Sequence, residues 1–302
     1  MGDVTSRAQE LARLHRDAEV RRYGSLVGHW LSRWFRAPRP AHAEPRPVVE
    51  RGQLAVTFGG HATLIARYAD LAVAFDPMLG RWLGGVRRAV EPGLAPADFS
   101  DVGLILISHR HADHLHVPTL RRLPRTATVV VPAGAAGALS RLGYARVIEL
   151  APGADFELRG VQVMAAAIAH GSGRGSSDLA HGLSYVVRGD GPSLYLCGDS
   201  GYFSGFADLG ERFAPDLAVL PIGGYAPGSF RARHMSPLDA LYAFEDLRAR
   251  MMIPIHHGAF ALSYERLDEP ARWLAELARQ RGVLDHVLMM AAGQTERFVD
   301  RA

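Results

Sequence analysis

Lysine is absent from this chain: all 34 of its basic residues are arginine. Beside abundant Ala and Gly, this reads as compositional bias rather than a choice of phosphate-contacting side chains. Cysteine occurs once, at Cys197, so no intramolecular disulfide can form, which fits the cytoplasm. Cys197 sits in an apolar stretch and reads as core. No apolar run approaches the ~18 residues of a membrane-spanning helix. The first residues, Met1-Gly-Asp-Val-Thr-Ser-Arg7, lack the apolar centre of a secretory signal.

Acidic residues are missing between Glu19 and Glu44. Residues 1–50 carry nine Arg against six acids, whereas residues 51–302 carry 25 of each. The body of the protein is therefore neutral, which argues against a nucleic-acid groove running across it. Residues 6–36 read as a helix. In its second half Tyr23, Leu26, Val27, Trp30, Leu31, Trp34 and Phe35 share one face, with Arg21, Arg22, Arg33 and Arg36 opposite. Arg opposite Trp and Phe suits a helix lying on anionic lipid, so residues 20–36 are expected to touch the inner membrane face peripherally. The same stripe could instead pack on the chain's own domain or on a second subunit. Residues 37–51 follow as a stiff linker, with four Pro between positions 37 and 47. Residues 52–302 form the main domain.

What stands out there is His109-Arg110-His111-Ala112-Asp113-His114, four metal-binding side chains within six residues. They follow the unbroken apolar run 102–107, which reads as a buried strand. Just past a strand end, side chains at i and i+2 point the same way, so His109 and His111 can face one ion. Asp113 and His114 come after the turn and can face a second. Imidazole and carboxylate are the ligands of zinc sites that keep a position open for water.

This motif after a hydrophobic strand resembles that of the metallo-β-lactamase superfamily. The likeness extends over residues 52–300. It implies a third histidine for the first metal, His170, an aspartate between both metals, Asp199, and a last histidine for the second, His256. Within the superfamily, Phe58-Gly-Gly-His-Ala-Thr63, Gly198-Asp-Ser-Gly-Tyr202, Leu220-Pro-Ile-Gly-Gly-Tyr225, His234-Met-Ser-Pro-Leu-Asp-Ala240 and Ile255-His-His-Gly-Ala-Phe-Ala-Leu262 resemble the branch of N-acyl-phosphatidylethanolamine-hydrolysing phospholipases D. Related sugar-phosphate lactonases share a looser version. The lipid enzymes tend to carry Trp after the third and the last metal histidine, where this chain has Gly171 and His257.

The resemblance implies an α+β fold, an αββα sandwich with the N-terminal helix as an extension. It also implies a binuclear zinc hydrolase. His109, His111 and His170 would hold one ion, Asp113, His114 and His256 the other, and Asp199 both. Mixed nitrogen and oxygen ligands also admit Mn²⁺ or Fe²⁺. Oxygen-reducing relatives carry Glu at the place of His111, which disfavours a redox di-iron role. A hydroxide shared by the ions would attack a phosphodiester. Asp113 and His234 are the candidate catalytic groups, His234 contacting the phosphoryl oxygen or the leaving group. Asp76 could fix the tautomer of a ligand imidazole. His61 and His257 would lie near the metals, Tyr225 would wall the pocket, and residues 171–177 would form its rim. His116 and His181 read as loop histidines. The substrate would be a phospholipid or a small molecule. The alternatives are a lactonase or other esterase with the same site, and a membrane-bound binding protein with a vestigial one.

Strands are expected at 54–58, 63–66, 71–75, 102–107, 127–131, 146–150, 161–168, 183–187, 194–197, 217–220, 252–255 and 287–290. Helices are expected at 133–142, 237–250 and 270–282, the last two begun by Pro237 and Pro270. The N-terminal reading has a direct test. The full chain should bind vesicles rich in anionic lipid, more weakly as salt rises. Deleting residues 1–48 should abolish this binding and spare turnover of a soluble substrate. An insoluble deletion product would mean that the apolar stripe is core or subunit interface.

Overall fold

Alternate residues of the apolar run before the histidine cluster face opposite ways. Leu104 and Leu106 enter a core between two sheets, while Ile105 and Ile107 enter a second core on the outer face. A strand covered on both sides has no polar face, which explains the lack of alternation in its sequence. The computed structural model describes residues 37–171 and 182–300. The helix expected over 6–36, the membrane contact at 20–36, most of the rim loop and His181 lie outside the described residues.

In chain order the first eight strands are β1 (Gln53–Gly60), β2 (Thr63–Arg67), β3 (Ala72–Phe75), β4 (Trp82–Leu83), β5 (Val86–Arg87), β6 (Val102–Leu106), β7 (Thr128–Pro132) and β8 (Arg146–Leu150). Then come β9 (Asp155–Leu158), β10 (Val161–Ala167), β11 (Leu183–Arg188), β12 (Leu194–Leu196), β13 (Leu217–Pro221), β14 (Met251–Ile255) and β15 (Thr295–Val299). One sheet has the order β15-β1-β2-β3-β6-β7-β8, the other β14-β13-β12-β11-β10-β9, and β4 and β5 form a separate hairpin. Both main sheets are mixed. β3, β6, β7 and β8 run parallel in the first, as do β12, β13 and β14 in the second.

The inner faces meet through Val73, Phe75, Leu104 and Leu106 on one side and Tyr185, Val187, Val219 and Ile253 on the other. Burying each such aliphatic side chain contributes roughly 1.5–3 kcal/mol. The Tyr185 hydroxyl crosses the core to donate to the Ile107 carbonyl (2.7 Å), pinning one sheet to the other at the foot of the histidine cluster.

Parallel neighbours need crossovers, and these carry the helices. α1 (Val117–Leu120) lies between β6 and β7, α2 (Gly205–Phe213) between β12 and β13, and α3 (Pro237–Asp246) between β13 and β14; α4 (Glu269–Gln280) follows β14. The last three cover the outer face of the second sheet through Phe206, Leu241, Phe244 and Leu274. α3 starts where expected: Ser236 accepts from the Asp239 amide, the Asp239 carboxylate accepts from the Ser236 amide, and Pro237 fills the first turn. Among the described residues the outer layer over the first sheet is thin, with α1 and short 3-10 turns.

Three expectations therefore change. The helix expected over 133–142 is one 3-10 turn, Ala136–Leu139, in a stretch broken by Gly134 and Gly143, whose φ angles are 81° and 72°. The strand expected at 287–290 reduces to a single bridge between Val287 and Met252. Among the described residues the αββα layering is full on one side and sparse on the other. Among the described residues no helix is long and apolar enough to cross a membrane.

Residues 37–50 run along the domain. The Arg39 amide donates to the Ala89 carbonyl (2.9 Å) and the His42 amide to that of Ala292 (2.7 Å). Glu44 accepts from the Thr295 amide (2.9 Å). Leu106→Ala should lower stability by about 2–5 kcal/mol. Val48→Ala, at a side chain 78% exposed, should stay within about 0.5 kcal/mol in the same urea titration.

Candidate metal centre

The parallel strands of both sheets point their carboxyl ends at one place, where ligands gather in open α/β sheets. Asp76 follows β3, the His109–His114 cluster follows β6, Asp199 follows β12 and His256 follows β14, while His170 arrives from antiparallel β10. The structure draws the seven residues read as ligands into two groups. His109, His111, His170 and Asp199 offer ligand atoms within 4.8 Å of one another, and so do His61, Asp113, His114 and His256. A third overlapping set joins Asp199, His234 and His256.

Imidazole tautomers follow from the partners on the far side of each ring. The Ser108 hydroxyl donates to Asp76 Oδ2 (2.5 Å) and its amide to Asp76 Oδ1 (2.7 Å). The serine oxygen is thus left to accept from His109 Nδ1 (2.9 Å). His114 Nδ1 donates to Asp76 Oδ2 (2.7 Å), and His170 Nδ1 to the Arg233 carbonyl (2.8 Å). All three Nε2 atoms are then bare lone pairs directed inwards. His111 Nδ1 stands 2.9 Å from His109 Nε2 and 3.1 Å from His170 Nε2. A proton on His111 Nδ1 can satisfy one of these two neighbours at most, so the other keeps a lone pair for a cation.

Asp199 spans the two groups. Its Oδ1 is 3.1 Å from His256 Nε2, and its Oδ2 is 3.3 Å from His114 Nε2 and 3.8 Å from His109 Nε2. Burial alone would raise the carboxyl pKa, but His256, His114 and His234 hold it well below the ordinary range. Asp113 is likewise held low against burial, by His114, His256 and His61. Burial works to depress His114, yet Asp199, Asp113 and Asp76 push it well above the usual imidazole value. The centre thus holds ionised carboxylates that keep a proton on His114, while His109 is driven down first by burial and then by His114. His114 Nε2, His256 Nε2 and Asp199 Oδ1 are buried without any hydrogen-bond partner. Orphans of this kind are rare in folded proteins. A pair of divalent cations would satisfy all three, so the donor set fits the metals that the sequence implies.

The remaining candidates fall in different places. Asp76, fully buried, is the acceptor behind His114. His61 joins the second group, its Nε2 3.1 Å from Asp113 Oδ2 and its ring centroid 4.4 Å from that of His256. His234 lies beside Asp199, Nδ1 to Oδ2 3.6 Å. His257 points to the Pro254 carbonyl and lines the cleft over His256. Tyr225 does not line that cleft: it is buried, its hydroxyl donates to Glu269 Oε1 (2.7 Å), and its ring packs on Trp273. It braces the start of α4 instead of walling the site. His116 caps α1, accepting from the Thr119 amide (3.2 Å). Cys197 is buried, and burial raises its thiol pKa, as suits a core residue.

Sequence reasoning missed Ser108 and the Arg233 carbonyl, because nothing in a serine beside a ligand, or in a peptide carbonyl, announces a metal site. It also missed Glu265, which accepts from the Gly224 amide (2.5 Å), the Ala226 amide (3.2 Å) and the Ser263 hydroxyl. That carboxylate anchors the Gly-Gly turn. A side chain at Gly223 would strike the His256 carbonyl, and one at Gly224 would meet the His234 ring. The turn is bare because it presses on both histidines.

A beta-lactamase superfamily domain model matches residues 72–257. The chain belongs to the metallo-β-lactamase superfamily, as a metal-dependent hydrolase. It is 30% identical over 261 residues to the mitochondrial N-acyl-phosphatidylethanolamine-hydrolysing phospholipase D of Saccharomyces cerevisiae, covering 80% of this chain and 55% of that one. Against phospholipase D 1 of the same name from Caenorhabditis elegans it is 29% identical, covering 76% and 70%. A metal-dependent hydrolase of Opitutus terrae is 33% identical, covering 80% of this chain and 98% of its own. Among solved structures, the isothiocyanate hydrolase from Delia radicum gut bacteria has the same fold, with a TM-score of 0.69, 21% identity and coverage of 81% and 99%.

Protein purified without chelator should hold about two divalent ions per chain by elemental analysis. Asp76→Asn should weaken metal binding about 10–100-fold in competition with a chromogenic chelator. Asp199→Ala should lose most, since its oxygens face both groups. Metal content near zero in the wild type would sink the assignment.

Proposed function

We propose that the chain is a binuclear zinc phosphodiesterase of the phospholipase D type. His234 is the observation that carries this reading. Its Nδ1 is buried without a hydrogen-bond partner, 3.6 Å from Asp199 Oδ2, while the side chain as a whole keeps 20% exposure. Burial is the main cause that pulls its pKa down to about 4, so the ring is neutral at physiological pH. An imidazole poised there, outside the two main donor groups, can hydrogen-bond a phosphoryl oxygen or a departing alkoxide. When bound, two divalent ions held by the seven ligands would lower the pKa of a water towards neutrality and stabilise the charge of an in-line displacement. Asp113, bonded to His61 and facing His256, is the carboxylate that would take the water's proton. Ser108 and Asp76 hold the rings of His109 and His114 against the substrate's approach.

The similarity to lipid-cleaving enzymes of yeast and nematode supports a phosphodiester substrate, and the Pro-Ile-Gly-Gly-Tyr and His-Met-Ser-Pro segments support that branch in particular. Gly171 and His257, where those enzymes tend to carry Trp, speak for a changed substrate pocket. The complete donor set speaks against a vestigial site. With this function goes a cytoplasmic location, with peripheral contact at an anionic membrane and no nucleic-acid partner.

The metal-loaded protein should cleave members of a phosphodiester panel, from bis(p-nitrophenyl) phosphate to N-acyl-phosphatidylethanolamine, faster than a panel of lactones. His234→Ala should keep its metal and lose about 10²-fold or more in kcat. Preference for lactones would overturn the phosphodiesterase reading. Loss of metal in the variant would make His234 a ligand.

A further inference from the structure

A second cavity, lined in part by His61, has a volume of about 480 Å³, within the size range of small-molecule sites. Phe58, Val90, Leu267, Ala271, Met290 and Ala292 give it apolar walls. It shares His61, His257, Gly258 and Leu267 with the cleft over His256.

One wall residue does not belong in an apolar cavity. Arg88 is only 1% exposed. Its guanidinium donates to the carbonyls of Val90 (3.0 Å), Met78 (2.9 Å) and Gly59 (3.3 Å), and lies 5.2 Å from the Phe260 ring centroid. Those three bonds leave two of its five N–H groups over. Among the described residues no carboxylate stands within ion-pair distance of it. Burial draws its pKa down to about 10, with Glu91 opposing from longer range. Both acids on the cavity wall already have partners, Glu91 in Arg81 (3.0 Å), and Asp268 in Arg266 (3.2 Å) and in Arg272 of the same wall (3.3 Å). Arg39, exposed and also on the wall, adds a second positive charge without a carboxylate partner among the described residues. A buried cation without a counter-ion is costly, and an anion placed beside it removes that cost.

We infer that this cavity binds a small amphipathic anion, with its carboxylate or phosphate toward Arg88 and Arg39 and its apolar body against Phe58, Leu267 and Met290. The site adjoins the metal centre through His61, but the inference does not depend on which ester the centre cleaves. Decanoate below its micelle concentration is a suitable probe, titrated calorimetrically into the full-length, metal-loaded chain. One decanoate should bind per chain. Decan-1-ol, lacking the charge, should bind at least tenfold more weakly. Arg88→Gln should cost tenfold or more in affinity. Ala271→Trp, which fills the cavity from the first turn of α4, should abolish binding and leave the thermal midpoint unchanged. If Arg88→Gln fails to fold, the filled variant and the uncharged probe decide the matter. Absence of saturable binding would overturn the inference, whether the cavity takes nothing or already holds another part of this chain. Unchanged affinity in Ala271→Trp would place the probe elsewhere, such as on the metals, and overturn it too. Equal affinity for decan-1-ol would do the same by removing the role of the buried charge.

Discussion

Three carboxylates, Asp76, Asp113 and Asp199, surround one buried imidazole, His114, at the meeting point of the two sheets. Negative charge at that density cannot stay in a dry interior without cations. Much of the local architecture serves to make the arrangement tolerable. Ser108 and His114 share the hydrogen-bonding capacity of Asp76, and His61 takes up an oxygen of Asp113. What remains unsatisfied points inwards, to where metal ions would sit.

The backbone bends to the same end. His61, Asp76 and His256 all have positive φ, at 59°, 40° and 59°, in the left-handed region that L residues with side chains rarely enter. Each turns the chain sharply at a strand end, so that a side chain leaves the sheet and enters the centre. Such conformations cost of order 1–3 kcal/mol apiece and persist where the surroundings over-determine them. Here the surroundings are the neighbouring strands, which are buried on both faces.

Legibility in the sequence tracked locality. The cluster at positions 109–114 declared itself because its residues are adjacent and follow a buried strand. His170, Asp199 and His256 each end an apolar stretch, but it was the resemblance to the superfamily pattern that singled them out. His61 was marked only by the Phe58-Gly-Gly-His-Ala-Thr63 likeness, because its place beside Asp113 depends on a left-handed turn that residue types do not reveal. β15 passed unnoticed because Thr295–Val299 is a half-exposed edge strand whose partner, β1, lies more than two hundred residues earlier. The apolar segment 287–290 imitated a strand, since buried loops need apolar side chains as much as sheets do. α2 was hidden by Gly205 and Gly210, poor helix formers. Gly210 is there because a side chain would collide with the Asp246 carbonyl at the end of α3.

The centre takes His109, His111, Asp113 and His114 from one sheet and His170, Asp199 and His256 from the other. No single sheet holds a full set of donors for both groups. The spacing of the ligand atoms is therefore gauged by the thickness of the hydrocarbon layer between the sheets, about 10 Å in packed sheets. Val73, Leu104, Val187 and Val219, far from any reacting atom, work as shims. Changing one by a single methylene alters the fit of the two half-sites, so substrate selectivity in this protein can drift through its core with no residue of the centre replaced.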